Sequence, residues 1–480
     1  MIKEYVEGRF DGELNASGKK VKGTFYYNNG DEFKGEWAND SIVYGTYTYN
    51  NGEIYVGAFE NGMRNGSGIF YYNDGDNYRG EWLNGLRDGK GTYSWVNGIR
   101  YEVEYKKGIR HGKGTMYYLN GDVYDGEWAN DNRHGKGTFI WASGEQYKGT
   151  FKKDKLSGKG VYTNPNGNRY EGGWKDNLKH GKGTFIWASG EQYKGYYKCD
   201  KKHGKGTYIF LNGTKYVGSY VDNLRHGKGF LSDKNGNSYK GTFVKGEMHG
   251  KGVFTFQNGS VYKGEYRKGE MHGKGELKKA NGEIYKGEFK KGKPDGKGYY
   301  VYGDGRTYKG ELKKGVPDGR GIFTFPNGQK NEGSFKNGLP HGNNDCVFAN
   351  GTKYNGNWVD GKMEGKGTFW FKNGDLYIGS FVNDRFQGEG ILYYCNGDCY
   401  KGFFNNNVRS GYGTLTLLSG DLYEGEWQND LPNGKATYHC TNGDKYVGDF
   451  KNGQRHGYGV FTRANGTVVK GQWKDGKYIG

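Results

Sequence analysis

The chain has few of the residues from which most globular cores are built. Only 33% of its 480 residues are hydrophobic and 17% of the chain is aromatic, so about half of the apolar share consists of rings. A chain this poor in aliphatic residues does not form the three conventional domains that its length would suggest. No segment approaches the roughly 20 consecutive apolar residues of a membrane helix. No apolar stretch follows Met1-Ile2-Lys3-Glu4 either, so we expect a protein that is neither secreted nor membrane-spanning.

Cysteine is scarce as well. An odd number of scattered cysteines indicates reduced thiols in the cytoplasm and not a disulfide framework. Two of them flank an Asn396-Gly397 turn, but no second Cys or His pair lies near them in sequence, so we expect no metal site and no cofactor. The five cysteines are Cys199, Cys346, Cys395, Cys399 and Cys440.

Glycine and aromatic residues are abundant and regularly spaced. The signature Tyr-x-Gly-x-aromatic returns every 23 residues from Tyr55 to Val469 without an insertion, and two earlier copies bring the total to 21 units. The 16 residues from His134 to Gly149 recur letter for letter from His180 to Gly195. A chain that keeps this period is a stacked repeat built by duplication of one unit.

Each unit has the alternation of a β-hairpin. We number its positions from 0 at the first Tyr, so that Tyr124, Gly126 and Trp128 occupy positions 0, 2 and 4 of one unit and share one strand face. Positions 11, 13, 15 and 17 alternate along a second strand after a polar turn, and glycine at 2, 11 and 13 is expected to leave room for rings. The predicted fold is all-β: an elongated, twisted, single-layer antiparallel sheet, a solenoid-like rod of about 21 stacked hairpins.

The consensus Tyr-x-Gly-x-Trp/Phe-x-x-Gly/Asp-x-x-His-Gly-x-Gly resembles the MORN repeat (membrane occupation and recognition nexus) over essentially the whole chain. We assign residues 1–32 to an irregular N-terminal repeat or cap and residues 33–480 to a continuous repeat array with a basic segment at 147–330. The resemblance implies a scaffolding or targeting protein. Some enzymes carry such repeats beside a catalytic domain, but no non-repeat segment of that size is left here, so we predict no enzyme.

The repeat also accounts for two features that suggest chemistry. Equivalent atoms of successive units lie two strand spacings apart, roughly 10 Å, which is too far for two histidines to share a metal ion. We therefore predict that position 10 is a turn residue bonded to its own loop. Gly112–Thr115 (Gly-Lys-Gly-Thr) lacks the spacing of a phosphate-binding loop, and we predict no catalytic site. The histidines at position 10 are His111, His134, His180, His203, His226, His249, His272, His341 and His456.

The net charge of +18 is concentrated in the middle of the chain. Residues 147–261 hold 21 Lys and Arg against 8 Asp and Glu, a net charge of +13, and residues 262–330 hold 17 against 9, a net charge of +8. Position 12 is basic in eleven successive units and faces away from the rings. If it pairs with position 3 of its own unit, five lysines have no acidic partner: Lys159, Lys182, Lys205, Lys228 and Lys251.

We predict that these five lysines bind an acidic partner, either anionic phospholipid or an acidic protein segment. A solvated basic surface without a partner is the alternative. Nucleic acid is not expected, because most rings are needed for stacking between units and few are left to stack on bases.

The aromatic face is a second candidate site. Protein partners are predicted to bind rings along it, with positions 4 and 17 expected to be exposed. In two units these rings are Tyr124, Trp128, Trp141, Tyr170, Trp174 and Trp187. Val103, Ala436 and the unit of Asn331, which has lost its Tyr and carries Asn343-Asn344, depart from the consensus and are expected to open the stacking locally.

Three functions stay open. The first is a non-enzymatic scaffold that binds protein partners and anionic phospholipid at a membrane or cytoskeletal surface, which the resemblance places in the cell cortex or cilium. The second is a ciliary or cytoskeletal module that binds protein alone. The third is a regulator or targeting subunit of an enzyme such as a lipid kinase. Unpaired strand edges also predict a homodimer through the C-terminal repeats.

Overall fold

The computed structural model describes residues 1–480, which form 43 strands and no helix. They divide into two compact units, Met1–Asn235 with Phe243–Gly246, and Gly236–Thr242 with Glu247–Gly480. Within each unit every strand pairs antiparallel with its neighbours in the chain. Each unit is a single layer of hairpins, two strands per repeat, which confirms the predicted all-β antiparallel repeat. The structure contains no helix of the length and apolarity needed to cross a bilayer.

The strands of the first unit are β1 (Ile2–Tyr5), β2 (Gly8–Leu14), β3 (Lys20–Tyr27), β4 (Glu32–Ala38), β5 (Ser41–Thr48), β6 (Ile54–Glu60), β7 (Met63–Tyr71), β8 (Asn77–Leu83), β9 (Leu86–Ser94), β10 (Arg100–Lys106), β11 (Ile109–Tyr117), β12 (Val123–Ala129), β13 (Asn132–Ile140), β14 (Gln146–Lys152), β15 (Lys155–Thr163), β16 (Arg169–Lys175), β17 (Leu178–Ile186), β18 (Gln192–Lys198), β19 (Lys201–Ile209), β20 (Lys215–Val221) and β21 (Leu224–Ser232). Strand β22 (Ser238–Val244) carries residues of both units.

The strands of the second unit are β23 (Glu247–Thr255), β24 (Val261–Arg267), β25 (Glu270–Lys278), β26 (Ile284–Lys290), β27 (Lys293–Val301), β28 (Thr307–Lys313), β29 (Val316–Thr324), β30 (Lys330–Lys336), β31 (Leu339–Val347), β32 (Lys353–Val359), β33 (Lys362–Trp370), β34 (Leu376–Val382), β35 (Arg385–Tyr393), β36 (Cys399–Asn405), β37 (Val408–Thr416), β38 (Leu422–Gln428), β39 (Leu431–His439), β40 (Lys445–Lys451), β41 (Gln454–Thr462), β42 (Val468–Lys474) and β43 (Lys477–Tyr478).

A bulge interrupts the pairing inside each hairpin. Between β12 and β13, Gly126 pairs with Gly137, and after a register shift Glu127 pairs with His134. The two extra residues are Gly135 and Lys136, and the φ of +59° at Gly135 is a left-handed conformation that favours glycine. Glycine at position 11 is therefore needed for the backbone conformation of the bulge, and not to make room for a ring. The prediction that position 10 is a turn residue is wrong, because His134 lies within a strand.

Side chains at the turns join one repeat to the next. Both central residues of the hairpin turn have positive φ, Asn130 at +49° and Asp131 at +61°, as tight two-residue hairpins require. The Asp131 carboxylate accepts hydrogen bonds from the backbone N–H (2.9 Å) and Nε (3.1 Å) of Arg110 in the preceding repeat. At the opposite edge, the Asp122 carboxylate accepts a bond from the Ala142 N–H of the following repeat at 2.8 Å.

The core of each unit is a row of tyrosine rings that lie on paired glycines. A Cβ on Gly126 would be 2.5 Å from the Tyr124 hydroxyl oxygen, and a Cβ on Gly137 would be 2.6 Å from Cε2 of the same ring. The Tyr124 hydroxyl donates to the Glu127 carbonyl at 2.8 Å, and the residue is fully buried. Glycine at positions 2 and 13 therefore makes room for rings, as predicted.

These tyrosine rings pack against one ring of their own repeat and one ring of the next repeat. Tyr124 meets Trp128 of its own repeat edge-on at 5.2 Å and Phe151 of the next repeat edge-on at 5.0 Å. Perpendicular rings at this distance attract one another beyond the gain from buried area. A hairpin that is barely stable alone is thus held by contacts to its two neighbours.

Side chains that replace the consensus glycine affect the ring stacking differently at Val103 and at Ala436. Val103 occupies a glycine site, and the Tyr101 ring is tilted 34° to Tyr105, where most repeats have a near-perpendicular pair. This agrees with the expected local change in stacking. At Ala436 the expectation is wrong, because Tyr423 stays buried and its hydroxyl still donates to the Glu426 carbonyl at 2.8 Å.

We predict that Gly298→Val destabilises the protein and that Gly303→Val does not. A Cβ on Gly298 would be 2.4 Å from the Tyr285 ring, whereas at Gly303 the nearest atom, the Asn281 carbonyl oxygen, is 3.6 Å away. Overpacking at the first site should cost about 3 kcal/mol of unfolding free energy. The control should stay within about 0.5 kcal/mol of wild type. Equal unfolding curves for the two variants would contradict the role of the glycine pair.

We predict that stability falls steeply above pH 10. Burial raises the pKa of Tyr147 and Tyr216 to about 12, above the ordinary value of about 10 for a tyrosine phenol. Below the unfolded pKa both states keep neutral phenols. Between the two pKa values the phenol ionises only in the unfolded chain. Each such tyrosine therefore lowers the free energy of unfolding by about 1.4 kcal/mol per pH unit. Phenolate absorbance and circular dichroism, followed together against pH, should show ionisation and loss of β-structure as one transition. Ionisation without unfolding would contradict this.

Candidate functional site

The sheet face opposite the tyrosine rings carries a groove. Its floor is formed by the glycine pairs, and its two walls are the side chains at positions 1 and 14 and those at positions 3 and 12. In the first unit one section of about 530 Å³ contains Gly126 and Gly137 together with Lys113, Lys136 and Lys159. The position-12 lysines therefore lie on the non-aromatic face, as predicted.

The cross-strand neighbours of these lysines differ from those predicted. Because of the bulge, position 3 pairs with position 10 inside a hairpin, and position 12 pairs with position 3 of the next repeat. Lys251 consequently lies opposite Glu265, so the expectation that it lacks an acidic partner is wrong. Lys136, which was not among the five, lies opposite Thr150.

Four successive lysines of the first unit have no acidic residue opposite them. They are exposed, as Lys228 and Lys251 also are, and repeat equivalents lie roughly 10 Å apart. The Lys182 ammonium is 5.6 Å from the centroid of the Tyr196 ring. We call the four the lysine row: Lys136 opposite Thr150, Lys159 opposite Gly173, Lys182 opposite Tyr196 and Lys205 opposite Ser219.

Of the six rings predicted to form the aromatic site, four are buried in the core and two are accessible at the surface. Tyr124, Trp128, Tyr170 and Trp174 are buried, with Trp174 the most exposed at 8%. The expected exposure at position 4 is wrong, because that ring is wedged between the tyrosines of two repeats. Trp141 and Trp187, at position 17, are half-buried and accessible.

Position 9 was missed in the sequence. In the first unit it mostly holds Arg or Lys, and these cations lie over the rings: the Arg64 guanidinium is 4.4 Å from the Trp82 ring and the Lys202 ammonium 4.5 Å from that of Tyr208. Burial lowers the pKa of Lys202, and nearby Glu191 partly offsets this. The sequence signal that could have revealed this position is the recurrence of Arg or Lys directly before the histidine at position 10. In the second unit Arg409 and Arg455 again lie over rings, but six successive repeats before them hold apolar residues at this position: Met271, Pro294, Pro317, Pro340, Met363 and Phe386.

A groove section of the second unit carries large apolar and aromatic side chains. A section of about 850 Å³ contains Ile378, Phe403 and Tyr412 together with Lys366 and Glu389. Phe403 is 45% exposed and Tyr412 54% exposed, so both rings are available for contact. The two units thus present grooves of different chemistry.

No group of three or more His, Cys, Asp or Glu lies close enough to hold a metal ion. All five cysteines are free. Cys346 is buried, and burial raises the pKa of its thiol to about 11, which keeps it protonated and unreactive at neutral pH.

Nineteen consecutive segments, from residues 33–54 to 446–468, match the MORN repeat. The chain belongs to the MORN-repeat family. The repeat is a non-catalytic scaffold, and its copies tile nearly the whole chain. A comparison with curated protein sequences finds no significant match.

Solved structures show a weak likeness. The TCP domain of Drosophila melanogaster SAS-4 (dCPAP), in complex with a proline-rich motif of Ana2 (dSTIL), is 12% identical with a TM-score of 0.22, covering 36% of this chain and 88% of that chain. The TCP10 domain of Danio rerio CPAP, in complex with a STIL peptide, is 13% identical with a TM-score of 0.21, covering 52% and 97%. TM-scores this low support no argument about fold or function.

Proposed function

We propose that the chain is a non-enzymatic scaffold whose lysine row binds an anionic surface. The observation that carries this proposal is the row itself, four exposed lysines that face Thr, Gly, Tyr and Ser across the strands. With no acidic residue directly opposite, their charge is not compensated by a cross-strand pair. The surface we favour is anionic phospholipid at a cytoplasmic membrane or membrane-linked cytoskeleton, where each basic residue contributes about 1 kcal/mol.

The lysine row should be required for binding to phosphatidylserine vesicles. We expect wild-type protein to sediment with them, and a variant with Lys136, Lys159, Lys182 and Lys205 changed to Glu to bind at least about tenfold more weakly, since each reversal replaces attraction by repulsion. The control changes Lys152, Lys153, Lys175 and Lys198 to Glu, which alters net charge equally at the hairpin ends. This control variant should keep most of its binding to the vesicles. No sedimentation of wild type, or an equal loss in both variants, would contradict the proposal.

The second candidate is a protein-binding module that grips an extended segment in the groove of the second unit. The exposed rings of Phe403 and Tyr412 favour it, because aromatic side chains dominate the energy of many interfaces. Pull-downs that survive high salt and are lost on Phe403→Glu would support it. The half-buried Trp141 and Trp187 of the first unit offer a second surface for protein binding. Changing both to Ala tests this surface separately from the groove of the second unit.

Self-association through the C-terminal repeats is part of the proposal. The residues after β42 bond to Gln472, Trp473 and Lys474 and to the Lys470 carbonyl, which leaves the start of that strand edge, at Val468 and Val469, for pairing with a second copy. Analytical ultracentrifugation should give a dimer at micromolar concentration. A monomer at every concentration would contradict this part alone.

A further inference from the structure

The repeat that begins at Asn331 lacks two large side chains at one place in the core of the second unit. Asn331 pairs across the strands with Cys346, and both are buried. The repeats on either side have two rings there, namely Tyr308 with Phe323 and Tyr354 with Phe369. A pair of rings is thus replaced by two small residues.

The backbone bond of the missing tyrosine is made by another residue. In most repeats the tyrosine hydroxyl donates to the carbonyl at position 3. Here Asn344, at a position that is usually glycine, donates from Nδ2 to the Ser334 carbonyl at 3.0 Å and to the Gly342 carbonyl at 3.1 Å. The hairpin is therefore complete without its ring.

A cavity of about 550 Å³ lies beside this repeat on the aromatic face. Asn331, Phe335, Phe348, Trp358 and Met363 line it. Its volume is within the range of small-ligand sites. Met363 and Pro340 stand where the first unit mostly has cations over the rings, and the charged side chains that line the cavity are those of Arg306 and Asp384.

Two rings that border the cavity each lack one aromatic neighbour. Elsewhere the ring at position 4 meets two tyrosines, as Phe381 meets Tyr354 at 4.9 Å and Tyr377 at 5.3 Å. Phe335 has this edge-on contact with Tyr308 only, and Trp358 with Tyr354 only. A ring placed between Phe335 and Trp358 would supply both missing contacts.

Two buried polar atoms at the cavity have no hydrogen-bond partner: Asn331 Oδ1, an acceptor, and Trp358 Nε1, a donor. Their residues are only 5% and 6% exposed. Trp427 Nε1, at the equivalent position, donates to the Gly413 carbonyl at 3.1 Å. Trp37 and Trp473 also lack this bond, but Trp37 belongs to the first matched repeat and Trp473 to the partial repeat that follows the last matched one. Buried polar atoms left without a partner are costly, so a ligand that satisfies both gains affinity.

We propose that this cavity binds a phenolic ring. The ring makes the edge-on contacts of the missing tyrosine next to the Asn344 side chain, which lies over Gly333, while its hydroxyl donates to Asn331 Oδ1 and accepts from Trp358 Nε1. A small free phenol and a tyrosine side chain of a partner protein share this chemistry. The site is on the face opposite the groove and does not depend on the function proposed above.

Ligand-observed NMR titration of the full chain with 4-methylphenol, and with toluene as the isostere without a hydroxyl, tests the proposal. We expect 4-methylphenol to bind at least about tenfold more tightly, the factor that one satisfied hydrogen bond typically gives. Asn331→Leu removes the acceptor and should reduce this preference to less than about threefold. Equal binding of toluene by wild type, or no binding of 4-methylphenol, would overturn the proposal.

The double variant Asn331→Tyr with Asn344→Gly fills the cavity from within the chain. Because it restores the consensus of the other repeats, it should fold as well as wild type, which circular dichroism checks, and it should lose 4-methylphenol binding. Ala436→Gly restores the consensus in another repeat of the same unit and should leave binding unchanged. Retained binding by the double variant would overturn the site. N-acetyltyrosinamide distinguishes the sources: its binding supports a partner tyrosine, and its exclusion while 4-methylphenol binds supports a small free phenol.

Discussion

Contact between one tyrosine ring and two glycines that face each other across a strand pair governs this structure. A sheet of one layer has no second sheet or helix to cover it, so it must bury apolar area within its own thickness. Removing the Cβ from both strands lets a ring lie against the backbone, and the rings at position 4 on either side enclose it. Tyr124 reaches zero exposure in this way with no second layer above it.

The same arrangement leaves the opposite face free. Because burial is completed on the ring side, side chains at positions 1, 3, 12 and 14 are not needed for the core and differ between the units. In the first unit they include exposed lysines with no acidic residue directly opposite, and in the second they include exposed rings. Partner binding and stability therefore depend on different positions of one repeat.

The alternation of the sequence predicted the strands, the ring face and the glycine pairs, because each follows from a period of two within one hairpin. It could not predict the bulge, since the positive φ of Gly135 leaves no trace in a pattern of apolar residues. The two extra residues of the bulge place His134 in a strand and leave Lys251 opposite Glu265 of the next repeat. The burial of Trp128 was missed for another reason, because the residues that cover it come from an adjacent repeat. The cavity at Asn331 depends likewise on several repeats together.

The bonds between turns have a consequence for how such a chain evolves. Asp131 accepts from Arg110 and the Ala142 N–H donates to Asp122, so the repeat presents one acceptor and one donor to the preceding repeat, which supplies the matching donor and acceptor. Repeats are therefore interchangeable parts, and the gain or loss of one whole unit brings together two junctions that already fit. The identical segments at His134 to Gly149 and His180 to Gly195 are the trace of such an event. Selection can change the number of repeats in whole steps, while a shift by a single residue would disrupt both junctions at once.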